Sequence, residues 1–142
     1  MAVNRIGAVM KRYVILYLAT LVVMLPLDFL FLGVLAKDFF KSQAGSALGD
    51  LKISPAIIFY LMYPAGIVLF ASAAAGSNWQ HALLYGALFG MFCYATFDLT
   101  TLALFKGWTW PAAIVDIAWG TFATAVSAMA GLLIANAVAR QV

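Results

Sequence analysis

Four long apolar stretches divide the chain. They read "YVILYLATLVVMLPLDFLFLGVLA" (13–36), "PAIIFYLMYPAGIVLFASAAAG" (55–76), "ALLYGALFGMFCYATFDLTTLALF" (82–105) and "PAAIVDIAWGTFATAVSAMAGLLIANAV" (111–138). Each reaches or exceeds the roughly 20 residues a helix needs to cross a bilayer. They are too long and too continuously apolar to be the short alternating strands of a barrel. The pattern predicts an all-α fold, a polytopic membrane protein built as an antiparallel bundle of four transmembrane helices. The connections "SNWQH" and "KGWTW" are short, so consecutive helices are expected to be antiparallel neighbours. No repeat or low-complexity tract interrupts them, which predicts one domain over residues 1–142.

The one substantial connection is "KDFFKSQAGSALGDLKIS" (37–54). It has two readings: a short interfacial helix with Phe39, Phe40 and the lysines at headgroup level, or a solvated linker. Val34-Leu35-Ala36 looks like a signal cleavage site. However, the apolar run before it is longer than a signal core and holds Pro26 and Asp28, so the segment is read as a retained span.

Composition agrees with the pattern. The 142 residues are 66% hydrophobic and 9% charged, with a mean hydropathy of +1.04; soluble domains carry about a quarter charged residues. The net charge of +3 is scattered, so nucleic acid is not an expected partner. Cys93 is the single cysteine and cannot close an intrachain disulfide. His81 has no His, Cys or Glu beside it, so neither a metal nor another cofactor is expected. Arg5, Lys11, Arg12 and Arg140 lie on one side of the expected membrane, and Lys37, Lys41, Lys52 and Lys106 on the other. These counts are equal. The dense leading cluster places both termini in the cytoplasm, while the balance itself leaves dual topology open.

All five acids are aspartates. Asp38 and Asp50 fall in the linker, and Asp28, Asp98 and Asp116 fall within spans. A carboxyl group at membrane depth is costly and tends to face the bundle interior or a watery cavity. Helical rise puts Asp28 and Asp98 roughly 12 Å from the ends of the first and third helices, and Asp116 roughly 8 Å from the start of the fourth. Because the helices alternate direction, those three ends open on the linker side. Three carboxyl groups therefore share a depth band, with Tyr60, Tyr63 and Pro64 at the same level on the second helix. Tyr94 and Thr101 share a face with Asp98, and Trp119 and Gly120 follow Asp116 by three and four residues. The expected site is a half-depth pocket with a polar base of Asp28, Asp98 and Asp116 and walls of Tyr60, Tyr63, Tyr94, Thr101 and Trp119. Pro26 and Pro64 would free backbone carbonyls near it.

A plain structural role competes with this. Membrane carboxyls also serve as glue between helices, and close aspartates repel, so that one or more would be protonated. "GALFG" on the third helix, and Ala123, Ser127 and Gly131 on the fourth, are close-packing patterns. Trp79, Trp108 and Trp110 read as interfacial belt residues. Lys106 snorkels to the headgroups or, alternatively, binds an anion at the pocket mouth.

The stretches "KRYVILYLATLVVMLPLDFLFLG", "FYLMYPAGIVLF", "LLYGALFGMFCYATFDLTTLALFKGW" and "VDIAWGT" resemble an uncharacterised family of small four-helix bacterial inner-membrane proteins. The likeness runs from about Met10 onward. Residues 1–9 depart from the family's usual short start, and Met10 is read as an alternative initiator. The resemblance implies a four-helix membrane fold and supplies no activity.

Three functions fit these residues. The first is binding of a lipid or another apolar small molecule in the pocket. The second is an intramembrane lipid-modifying enzyme, with Asp98 as base and Asp116 or Asp28 as acid. The third is a proton-coupled transporter or channel, which four helices would need to build as a homo-oligomer or as part of a larger membrane complex.

Overall fold

A computed structural model describes residues 2–141, and among them every regular element is helical. Helix α1 spans Ala2–Leu30, α2 Lys37–Ala44, α3 Ile53–Ile67, α4 Trp79–Leu104 and α5 Trp110–Arg140. Four helical stretches are long and apolar enough to cross a membrane: Arg5–Leu35, Ile53–Ser72, Trp79–Leu104 and Trp110–Arg140. Their outer faces are apolar and open, with Phe29 76% and Leu104 78% exposed. Such surface is stable against lipid tails and costly against water.

Local chemistry sets the helix ends. The Asn78 side chain accepts from the backbone N–H groups of Gln80 (2.9 Å) and His81 (3.2 Å) and so caps α4. Thr109 caps α5 by accepting from Ala112 N–H, with Pro111 in the first turn. Pro26 and Pro64 lie inside α1 and α3, and each is followed within five residues by a π turn, Phe31–Leu35 and Val68–Ser72. Proline leaves the carbonyl four residues earlier without its helical donor. Next to the one Pro64 releases, the Leu61 carbonyl accepts from Tyr17 of α1 at 2.9 Å.

Helix α5 is the spine. Its buried positions are mostly small: Ala112, Ala113, Gly120, Ala123, Ala125, Ala128, Gly131 and Ala135. Gly86 and Gly90 of α4 press against it. A Cβ at Gly86 would stand 2.8 Å from Ala128 Cβ and 2.9 Å from the Thr124 carbonyl. Without a hydrophobic drive between helices in lipid, close backbone approach of this kind holds the bundle. Helix α1 packs on the other flank of α5, and α3 leans on α1. The α3 backbone comes close to α4 chiefly at the π turn Val68–Ser72. Toward the linker side the two helices diverge, and that gap becomes the site.

At the terminal end, Arg12 ties three segments together. Its guanidinium donates to the Gly76 carbonyl (3.0 Å) and to Asn136 Oδ1 (3.4 Å). At the opposite end the linker contains α2, which lies across the bundle. Phe40 meets Phe31 edge-on and stacks on Trp108, while Thr109 Oγ1 donates to Gln43 Oε1 at 2.7 Å.

Candidate functional site

The divergence of α3 from α4 opens a cleft of about 1420 Å³. Phe59, Met62 and Tyr63 of α3 form one wall, Phe89, Phe92, Cys93, Tyr94 and Phe97 of α4 the other, and α2 with Trp108 stands over the mouth. Asp28 and Asp116 are the carboxyls in its lining below the mouth.

Each buried aspartate has an indole partner. Trp119 Nε1 donates to Asp28 Oδ1 at 3.1 Å, and Trp108 Nε1 donates to Asp98 Oδ1 at 2.9 Å. Both indoles are held by rings, Trp119 stacked on Phe31 at 4.0 Å and Trp108 on Phe40 at 6.1 Å. The Tyr60 hydroxyl faces Asp28. Asp98 is fully buried, and its Oδ2 has no donor. The Asp116 carboxyl lies within hydrogen-bonding reach of it. Two carboxylates are both acceptors, so a hydrogen bond between them requires a proton on one.

The tyrosines are held as firmly. The Tyr63 and Thr124 hydroxyls are 2.8 Å apart, and the Tyr94 ring lies flat against Gly120, where any Cβ would collide with it. Glycine is therefore required at position 120 by close approach. Tyr63, Phe59, Phe89 and Tyr94 make a connected aromatic wall with ring centroids 5.1–6.0 Å apart, an arrangement that stabilises beyond area alone.

A family model described as "Predicted membrane protein (DUF2177)" matches residues 13–133. The chain belongs to that family. Neither the curated proteins nor the solved structures include a match to this chain. The DUF2177 match covers all five helices in part or whole and every aspartate of the site; Arg12 and its terminal tie stand just outside it. Together with the four spans, it makes this a multi-pass membrane protein.

Of the eight residues the sequence singles out, the structure sets four in the cleft lining: Asp28, Tyr63, Tyr94 and Asp116. Asp98 lies behind that wall, reaching the cleft only through Asp116 and Trp108. Trp119 stands behind Asp28 as its donor. Tyr60 faces Asp28 but opens on a separate groove of about 300 Å³ between α1 and α3. Thr101, half-buried on α4, lines neither space. No group of three or more metal-ligating side chains forms among the described residues. Trp108, Lys37 and Lys41 were not singled out for the site. Trp108 reads as a belt residue because its partner lies ten residues back along the chain. Lys106, weighed for the mouth, is absent from the lining, whereas Lys37 and Lys41 are in it. Their i, i+4 spacing beside Phe40 was the available signal.

Proposed function

We propose that this membrane protein binds a lipid or similar amphiphile in the cleft between α3 and α4. The observation that carries the reading is the shape of that cleft. It is wide and walled by aromatics, its lining residues Met62, Phe92 and Phe97 stand exposed on the flank of the bundle, and its charged groups are few. Binding sites of this class combine an apolar lining with a few polar groups that orient the ligand. The dense leading cluster at Arg5, Lys11 and Arg12 supports both termini in the cytoplasm of a bacterial inner membrane. The cleft then opens on the outer leaflet.

The test is native mass spectrometry of the protein in mild detergent, wild type beside Met62→Trp. Met62 lines the cleft and is 65% exposed, so the larger indole narrows the cleft without disturbing the core. A discrete adduct on the wild type that the variant loses is the expected result. An adduct carried equally by both would sink the reading.

A second reading is favoured by one observation, the contact between Asp98 and Asp116. A proton held between two carboxyls beside an apolar cleft is a candidate acid–base pair for chemistry on the bound lipid. Under it, Asp116→Asn keeps the adduct and stops product formation from a total lipid extract. Turnover that persists in Asp116→Asn would exclude it.

A further inference from the structure

The charged groups at the cleft mouth narrow the occupant, granted that the cleft is a lipid site. Helix α2 is eight residues long, and its Lys37, Phe40 and Lys41 all enter the cleft lining. That i, i+3, i+4 set is one helical face. Phe40 is fixed between Phe31 and Trp108, and Gln43 is held by Thr109. The lysine face is thus anchored over the mouth by contacts on both sides. Asp50 is the only acid at that level in the lining, so cationic groups predominate there. Deeper, the lining carries Asp28 and Asp116 and no cation.

Depth and size follow from the walls. From Phe89 to Phe97, the part of α4 that lines the cleft, the helix rises roughly 12 Å, close to the roughly 15 Å of one leaflet's hydrocarbon. The volume of about 1420 Å³ exceeds the roughly 300–1,000 Å³ of pockets for drug-sized molecules. A cleft of that depth and volume has room for two acyl chains lying in one leaflet.

We propose that the occupant is a two-chain phospholipid with an anionic head, entering sideways from the leaflet on the α2 side, its phosphate between Lys37 and Lys41 and its ester region beside Asp116. Lysines near a membrane surface attract anionic heads. The aspartates add direction. They repel an anion from the depth of the cleft, so the head stays at α2 and the chains run inward past Asp116.

The experiment is a competition read by native mass spectrometry. The full chain, stripped of lipid, is offered equal phosphatidylglycerol and phosphatidylcholine of matched acyl chains. Wild type, K37Q/K41Q and Met62→Trp are compared, each checked for an unchanged melting temperature. The wild type is expected to prefer phosphatidylglycerol roughly ten-fold, as two lysines near a membrane surface allow. K37Q/K41Q should bind both lipids equally and more weakly, since each phosphate loses its lysines. A wild type without preference, or a preference that survives K37Q/K41Q, would overturn the proposal while leaving the cleft a lipid site. Adducts on Met62→Trp equal to those on the wild type would instead remove the cleft reading beneath it.

Discussion

At the scale of single residues, the site depends on a few polar atoms with one partner each. Among the described residues, Trp108 donates to Asp98 Oδ1, and Asp98 Oδ2 has no donor. Trp108→Phe keeps the ring and removes the N–H. It is expected to destabilise by about 1–2 kcal/mol, seen as a lower melting temperature in detergent. Trp110→Phe, at an exposed ring, is the control and should stay within about 0.5 kcal/mol. In Asp98→Asn the effect of Trp108→Phe should shrink, because the two changes act on one bond. Packing is equally local. A Cβ at Gly90 would stand 2.7 Å from Thr124 Cβ and against the Gly120 carbonyl, whereas at Gly7 it meets nothing. Gly90→Ala should therefore cost about 1–3 kcal/mol, and Gly7→Ala should be neutral or slightly stabilising by helix propensity.

At the scale of elements, the cleft exists because α3 follows α1 rather than α4. The backbones of α3 and α4 come together chiefly at the π turn, where Ser72 also donates to the Ala128 carbonyl of α5 at 3.2 Å; below it only side chains such as Tyr63 and Phe89 meet. The gap leaves the Cys93 thiol on the cleft wall. An N-alkylmaleimide that partitions into the bilayer should label Cys93 in the wild type and label it several-fold more slowly in Met62→Trp, as read by intact mass. Equal rates would mean that the thiol is reached by another route. Helix α2 is held by Phe40 and Gln43 alone among its side-chain ties to the bundle. Phe40→Ala should release it, raising amide hydrogen exchange across residues 37–44 while α4 and α5 stay protected.

For the molecule as a whole, the even number of spans puts both ends on one side. Reporter fusions at the two termini should both read cytoplasmic, in one population. A mixed population would restore the dual-topology alternative that the equal lysine and arginine counts leave open. Arg12 adds a structural reason for a fixed arrangement: it closes the terminal end of the bundle by joining α1 to Gly76 and Asn136.

Composition and periodicity alone determined that the chain is helical, crosses a membrane and does so four times. The physical reason is that lipid permits few solutions for so continuous an apolar pattern. Alternation of helix direction was also enough to bring Asp28, Asp98 and Asp116 to one depth. Tertiary structure decided everything that depends on rotation and spacing. It turned Asp116 to the cleft and Asp98 behind it, because α4 approaches α5 through Gly86 and Gly90 along a face fixed by packing. It gave Trp108 a partner in Asp98, through a loop whose path no period encodes. It also opened the cleft itself, since the distance between α3 and α4 is set by which neighbour α3 leans on, and both neighbours offer an equally apolar face.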